Sequence, residues 1–124
     1  RFVALASGCI CCQARGEFEQ GLAELVAPRA AGELAFERIV VETTGLADPG
    51  PILQTLQVDP VLARQTRLDG VVTVADAANG PSTLDAQFEA VSQAAMADLI
   101  VLSKTDLVAT EQVAQFAWKV RPTV

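Results

Sequence analysis

The sequence of 124 residues contains no histidine and no tyrosine, and it has only one tryptophan. Any metal site must therefore be built without imidazole. No apolar run approaches the roughly 20 residues of a membrane-spanning helix, and no signal peptide is visible. Basic residues are scarce, because nine lysines and arginines stand against fifteen acidic residues and the net charge is −6. We therefore expect no membrane span and no nucleic-acid partner, since nucleic-acid binding needs clustered positive charge.

Hydrophobic residues are plentiful and make up 51% of the chain. This composition is typical of a protein with a packed core, and the length suits one domain. The chain runs from Arg1 directly into apolar residues 2–5 and stops at Val124, just after another apolar segment. We interpret it as the middle of a longer protein.

All three cysteines, Cys9, Cys11 and Cys12, lie within four residues of one another. Deprotonated, they would form a soft, negatively charged pocket that suits zinc or a related transition metal. A fourth ligand would be a carboxylate, water, a second chain or a substrate. The alternatives are a reactive or disulfide-forming cluster, or structural thiols. An odd, clustered set without a distant partner favours a reducing compartment, so we expect a cytoplasmic protein.

Three short apolar segments are rich in β-branched residues and predict strands at residues 38–42, 70–75 and 99–103. Their apolar residues are nearly continuous, which is typical of strands that are covered on both faces.

Apolar spacings of three and four residues predict helices next to these strands. The first helix contains Phe18, Leu22, Leu25 and Val26 and ends at Pro28. The second contains Leu84, Phe88 and Val91 and follows a capping box at residues 82–85. The last contains Val113, Phe116, Ala117 and Val120. Alternating strands and helices predict an α/β fold, with a parallel sheet and helices on both of its faces.

Polar, small and acidic residues cluster where each predicted strand ends, at the edge where such sheets bind ligands. They lie at residues 42–49 for the first strand, at Asp76 for the second, and at residues 103–107 for the third. An unpaired carboxylate is costly at the end of a buried strand, so Glu42 could face Mg²⁺ or a magnesium-bound water. Gly45 has no Cβ, and its N–H could approach a terminal phosphate. Asp48 and Pro49 then start a helix. The alternative for Glu42 is a solvated strand end without a ligand.

The segment Ser103-Lys104-Thr105-Asp106 suits guanine recognition. A carboxylate at Asp106 can accept hydrogen bonds from the N1–H and the 2-amino group of guanine, and adenine offers no matching pair of donors. The Lys104 stem can lie over the base. The segment resembles the Asn-Lys-x-Asp guanine-specificity motif of GTPases, with Ser103 in place of the asparagine.

Four segments in order resemble the CobW family of P-loop GTPases, which are related to the urease and hydrogenase maturation GTPases. They are Gly-Cys-Ile-Cys-Cys at residues 8–12, Glu-Thr-Thr-Gly-Leu-Ala-Asp-Pro at residues 42–49, and residues 67–77 and 97–107. The resemblance implies a P-loop NTPase domain and a GTP-dependent metal chaperone or metallocofactor-insertion protein. It also implies GTP, Mg²⁺ and Zn²⁺ or Co²⁺ as ligands, and a client metalloprotein such as one in cobalamin synthesis.

The resemblance assigns roles residue by residue. Cys9, Cys11 and Cys12 match the family's metal-binding cysteines. Glu42 and Gly45 match the segment that faces Mg²⁺ and the γ-phosphate, and therefore the catalytic centre. Lys104 and Asp106 match the guanine-recognition loop, in which Ser103 is the variant position.

The sequence departs from the family in three places. It contains no Gly-x-x-x-x-Gly-Lys-[Ser/Thr] phosphate loop, which we expect upstream of Arg1, and no carboxy-terminal domain. Ala78-Asn79 stands where relatives often have a histidine. We therefore expect residues 1–124 to be a partial GTPase domain that does not hydrolyse GTP alone. Its uncovered strands should leave it marginally stable or make it self-associate.

Two other functions fit parts of the pattern. A non-catalytic module could hold metal through the three cysteines and pass it to a partner. A phosphoacceptor domain of the receiver type would explain acidic residues and a lysine at strand ends, but it has no use for a cysteine cluster.

Overall fold

The computed structural model describes the backbone of residues 12–121 and the side chains of residues 16–121. The chain divides into two compact units, with the boundary between Leu68 and Asp69. The first unit contains helices α1 (Cys12–Ala30), α2 (Gly50–Val58) and α3 (Leu62–Gln65). The second contains β1 (Val72–Asp76), α4 (Gly80–Ala86), α5 (Phe88–Ala95), β2 (Leu99–Ser103), a 3₁₀ turn (Thr105–Leu107) and α6 (Thr110–Val120). No helix in this described part is long and apolar enough to cross a membrane.

Helix α1 forms the first unit's core with its predicted apolar stripe. Phe18, Leu22 and Val26 recur every four residues on one face, and they are buried against Ile52 of α2 and Leu62 of α3. The prediction that Pro28 ends this helix is wrong, because α1 continues to Ala30. Its end follows from Gly32, whose φ of 77° is left-handed, and from the Glu33 N–H, which donates to the Pro28 carbonyl at 2.9 Å.

The predicted strand at residues 38–42 is wrong, because this segment is irregular. Ile39 packs against the helical core, whereas the Val40 side chain is 83% exposed. A strand needs a neighbouring strand for its backbone hydrogen bonds, and the described residues of the first unit contain none. The following helix start is confirmed, since the Asp48 carboxylate accepts a hydrogen bond from the Gly50 N–H at 3.0 Å where α2 begins.

The second unit contains the predicted parallel strands. Strands β1 and β2 pair in register from Val72 opposite Leu99 to Asp76 opposite Ser103, so β1 begins two residues later than predicted. Before the strands, the Asp98 carboxylate accepts a hydrogen bond from the Val71 N–H at 2.7 Å. The α/β class with parallel pairing is confirmed.

One face of this sheet is packed against α6. Phe116 and Val120 of α6 are buried, and Ala75, Ile100 and Leu102 of the strands pack against them. We call this side of the sheet the covered face. Gly80, the first residue of α4, lies so close to the Phe116 ring that a Cβ in its place would overlap the ring atoms. The predicted helix at residues 113–120 is confirmed as α6.

The predicted helix through Leu84, Phe88 and Val91 is two helices in the structure. The backbone is extended at Gln87, with φ −127° and ψ 117°, and this residue separates α4 from α5. The predicted capping box at residues 82–85 is also wrong, because these residues lie within α4. The Ser82 and Thr83 hydroxyls donate to the Asn79 carbonyl at 2.8 and 3.0 Å.

Candidate functional site

The candidate site in the second unit lies at the carboxyl ends of β1 and β2. Because the strands are parallel and in register, Asp76 ends β1 directly beside Ser103 at the end of β2. The next residue, Lys104, has a left-handed backbone with φ 55° and ψ 32°. Its ammonium nitrogen donates to Asp76 Oδ2 at 2.8 Å. The fold thereby joins two polar loops that lie about 28 residues apart in sequence.

Asp76 is held by a dense set of donors. Its Oδ1 accepts hydrogen bonds from the N–H groups of Ala78 at 2.8 Å and Asn79 at 3.1 Å. Its Oδ2 accepts from the Asn79 side-chain amide at 3.0 Å as well as from Lys104. The Lys104 ammonium, followed by the donors of Asn79, holds the pKa of the Asp76 carboxyl well below its usual range. Asp76 is therefore a fixed anion at the end of the sheet.

The predicted guanine-recognition residues form one short loop after β2. Thr105–Leu107 is a 3₁₀ turn, closed by a hydrogen bond from the Leu107 N–H to the Lys104 carbonyl at 3.1 Å. Asp106 is exposed in this turn, and within the described residues its carboxylate has no hydrogen-bonding partner. The Ser103 hydroxyl instead points back to the sheet, at 3.4 Å from the Ala75 carbonyl oxygen. The loop thus contains the Asp106 carboxylate, which is open to a ligand, and Lys104, whose ammonium is bound to Asp76.

Glu42 and Gly45 lie in the first unit, in the irregular segment before α2. Both are exposed. A Cβ built on Gly45 would meet no heavy atom within 4 Å, and the Gly45 φ is outside the left-handed range. Neither packing nor backbone conformation therefore requires a glycine here. The roles of Glu42 at Mg²⁺ and of Gly45 at the γ-phosphate therefore stay predictions from the sequence.

The predicted metal ligands lie at the edge of the described chain. Cys9 and Cys11 are outside the described residues, and Cys12 is the first residue of α1, with a side chain that is also outside them. Among the side chains of residues 16–121, no group of three or more Asp and Glu residues could hold a metal ion. The thiolate site therefore stays a prediction from the sequence.

Comparison with known proteins identifies the family. The sequence model of the CobW/HypB/UreG nucleotide-binding domain matches residues 1–123. The chain belongs to this family. The resemblance predicted from its four motifs is confirmed.

Relatives within the CobW/HypB/UreG family carry names that concern zinc. The zinc chaperone YjiA of Escherichia coli is 42% identical over 103 residues, which cover 83% of this chain and 32% of that protein. The zinc-regulated GTPase metalloprotein activator 1 of Schizosaccharomyces pombe is 39% identical over 111 residues, which cover 89% of this chain and 26% of that protein. The chain thus spans about a third or less of these relatives' lengths.

A solved structure within the same family supports the fold. The crystal structure of Zn(II)-bound YjiA GTPase from E. coli matches with a TM-score of 0.75 at 35% identity, over 82% of this chain and 31% of that one. The predicted P-loop GTPase type of fold is therefore confirmed for the CobW/HypB/UreG chain.

Proposed function

We propose that this chain is part of a GTP-dependent zinc chaperone of the CobW type. In this proposal residues 1–124 are a partial GTPase domain, in which the loop after β2 recognises the guanine base and the cysteine motif holds the metal. The observation that carries the proposal is the loop at residues 103–106, where an exposed carboxylate and an ordered lysine follow a parallel strand. The names of the relatives support zinc as the cargo.

Guanine recognition would depend on the Asp106 carboxylate. Its two oxygens can accept hydrogen bonds from the N1–H and the 2-amino group of guanine, and exposure leaves them free for a ligand. The aliphatic stem of Lys104 would lie against the base. Ser103 lacks the reach of an asparagine amide, and its hydroxyl faces the Ala75 carbonyl. Base selectivity would therefore rest mainly on Asp106.

The phosphate end of the nucleotide would be handled by the segment before α2. Glu42 would hold Mg²⁺ or a water bound to it, and the Gly45 N–H would approach the γ-phosphate. When bound, Mg²⁺ would neutralise the charge that develops on the phosphate oxygens. The sequence contains no phosphate loop, so we expect residues 1–124 to bind nucleotide weakly and not to hydrolyse GTP alone.

Zinc would be the transported ion. Three thiolates from Cys9, Cys11 and Cys12 form a soft donor set that suits Zn²⁺ and its spectroscopic substitute Co²⁺. In the whole protein, nucleotide state would order or release the segments at residues 9–12 and 42–49 and so change metal affinity. The recipient would be a client metalloprotein in the cytoplasm.

The base-recognition part is tested by exchanging the hydrogen-bonding groups of Asp106. In the Asp106→Asn variant a side-chain amide donates where the carboxylate accepted, so preference should move from GDP to XDP, whose base carries a carbonyl at position 2. We would measure displacement of a fluorescent GDP analogue by GDP, XDP and ADP. Asp85→Asn is the matched control, because Asp85 is an exposed carboxylate of α4. Equal displacement by GDP and ADP from the wild-type chain would contradict the proposal.

The metal part is tested by anaerobic Co²⁺ titration of the reduced chain, followed by displacement with Zn²⁺. A tetrahedral thiolate site gives an intense charge-transfer band together with d–d bands, and zinc should bleach both. Single Cys9→Ser, Cys11→Ser and Cys12→Ser variants should each weaken the charge-transfer band. A flat wild-type response would contradict metal binding by this motif in the isolated chain.

A further inference from the structure

Lys104 has an unusual backbone for a lysine. It is the only non-glycine residue with positive φ among residues 12–121. The left-handed conformation is unfavourable for side chains with a Cβ and persists where the surroundings hold it in place. The Lys104 carbonyl accepts a hydrogen bond from the Leu107 N–H at 3.1 Å, and its ammonium donates one to Asp76 Oδ2 at 2.8 Å. The turn thus fixes the backbone, and a residue of the neighbouring strand fixes the end of the side chain.

Asp76 is well suited to hold this lysine because its own carboxylate is fixed. Three hydrogen bonds from Ala78 and Asn79 orient the two oxygens before Lys104 is considered. Only 25% of the Asp76 side chain is exposed. A carboxylate that is already ordered loses little further freedom when it binds a lysine, so the pair is preorganised.

A second lysine–carboxylate ion pair in the same unit lacks the additional hydrogen bonds that hold Asp76. Lys119 of α6 donates to Asp85 of α4 at 2.7 Å, about the same distance. However, the Asp85 side chain is 70% exposed, and within the described residues it has no donor other than Lys119. Exposed pairs of this kind contribute little to stability. The two ion pairs therefore have similar lengths but different surroundings. Lys119–Asp85 is an isolated surface pair, whereas Lys104–Asp76 belongs to a hydrogen-bond network at the strand ends.

We propose that Asp76 is a positioning residue for guanine-nucleotide binding, because its carboxylate holds Lys104 in the orientation in which the lysine stem can lie along the base. This inference rests on the proposed function of the 103–106 loop. Asp76 does not contact the base in this account, and it acts only through Lys104. It explains why an acidic residue ends β1 directly beside the recognition loop.

The Asp76→Asn variant separates the two tasks of this side chain. The amide oxygen can still accept from the Ala78 and Asn79 N–H groups, so the turn after β1 is kept. The amide nitrogen, placed where Oδ2 was, is a donor that faces both the Lys104 ammonium and the Asn79 side-chain amide, so the hydrogen bonds from these two groups are lost. Asp85→Asn is the matched control, since it removes the other lysine–carboxylate pair and leaves the candidate site unchanged.

The position of Lys104 can be read without any nucleotide. Lys104 and Lys119 are the two lysines of the sequence, so reductive ¹³C-dimethylation gives one lysine NMR signal for each ion pair. We expect Asp76→Asn to move the Lys104 signal and leave that of Lys119 unchanged. Asp85→Asn should do the reverse. Lys104→Arg identifies the signals by removing one of them.

The consequence for binding is measured as GDP affinity in a double-mutant cycle. We expect Asp76→Asn to weaken GDP binding about fivefold, the upper range for a single partly exposed ion pair, and Asp85→Asn to leave it unchanged. In a Lys104→Met background, Asp76→Asn should have no further effect, because the residue it positions is gone. A merely structural role would weaken binding by the same factor in both backgrounds.

The outcomes distinguish this inference from the proposed function. An unmoved Lys104 signal in Asp76→Asn, or an equal loss of affinity in the Lys104→Met background, overturns the positioning role while guanine binding stands. If the Lys104 signal moves as expected but the wild-type chain shows no preference for GDP over ADP, the proposed function fails, and with it the purpose assigned to the Asp76–Lys104 pair.

Discussion

Both faces of the β1–β2 sheet carry apolar side chains, but only one of them is packed against α6. On the covered face, Ala75, Ile100 and Leu102 pack against Phe116 and Val120 of α6. On the opposite side, which we call the open face, Val72, Val74, Leu99 and Val101 are between 43% and 67% exposed. The alternation follows from the strand geometry, in which successive side chains point to opposite faces.

This difference shows which part of the fold the chain stabilises with its own residues. The covered face has a helix that buries it, so its side chains contribute to the stability of the second unit. The open face has aliphatic residues of the kind found in buried strands. Four exposed aliphatic side chains on neighbouring strands form a patch that association would cover. The comparison therefore separates residues that hold the unit together from residues that are available for contact.

The largest expected effect is on the covered face. Phe116 is 3% exposed, so Phe116→Ala leaves a cavity under α6 and should lower the free energy of unfolding by about 3–5 kcal/mol. Val74→Ala removes an aliphatic side chain from the open face and should change it by about 0.5 kcal/mol or less. Urea unfolding followed by circular dichroism measures both. Similar losses from the two variants would contradict the distinction between the faces.

A smaller effect is expected where the backbone of α4 meets Phe116. Gly80→Ala places a methyl group against the Phe116 ring and should destabilise the unit by about 1–3 kcal/mol. Gly70→Ala is the matched control, since its Cβ would lie at an ordinary 3.5 Å from Asp98 Oδ2 and should leave stability unchanged or slightly raised. The same unfolding experiment compares them.

The ring itself can be used to check the cause of the Gly80 effect. In a Phe116→Leu background the side chain under Gly80 is smaller, so Gly80→Ala should be less destabilising there than in the wild-type chain. An undiminished loss would mean that the effect comes from the backbone of α4 and not from contact with Phe116.

The elements predicted correctly are those whose signal is local. The four-residue spacing of Phe18, Leu22 and Val26 depends only on the helical repeat, and α1 forms as expected. Nearly continuous runs rich in β-branched residues predict strands at residues 70–75 and 99–103, and these segments pair with each other as β1 and β2. The run at residues 38–42 is also rich in β-branched residues, but the described part of its unit has no strand to pair with. Strand formation thus depends on a partner that composition does not reveal.

The break between α4 and α5 and the contact between Asp76 and Lys104 were not predicted, because both depend on the folded structure and not on local sequence spacing. The apolar spacing through Leu84 and Phe88 continues across Gln87, but the backbone there is extended, and Phe88 is 78% exposed. The contact between Asp76 and Lys104 joins residues 28 positions apart. It depends on the register of the two strands, which spacing along the chain does not specify. Once β1 and β2 are recognised as neighbours, their last residues become candidates for contact.

The smallest effect on folding, and the most informative one for assembly, is expected on the open face. Val74→Thr combined with Val101→Thr keeps the β-branched shape of both side chains and replaces a methyl group with a hydroxyl in each. Because both residues are largely exposed, the free energy of unfolding should change by about 1 kcal/mol or less in total. If these residues meet in a complex between two chains, the hydroxyls make association weaker.

Sedimentation equilibrium over a wide range of protein concentration measures this association. We expect the average mass of the wild-type chain to rise with concentration and that of the Val74→Thr, Val101→Thr variant to stay closer to the monomer. Lys119→Gln, which removes an exposed charge from α6 at a pair away from the strands, is the control for a general change in surface polarity. A wild-type chain that stays monomeric at every concentration would show that the open face does not drive self-association, and the two faces would then differ in burial alone.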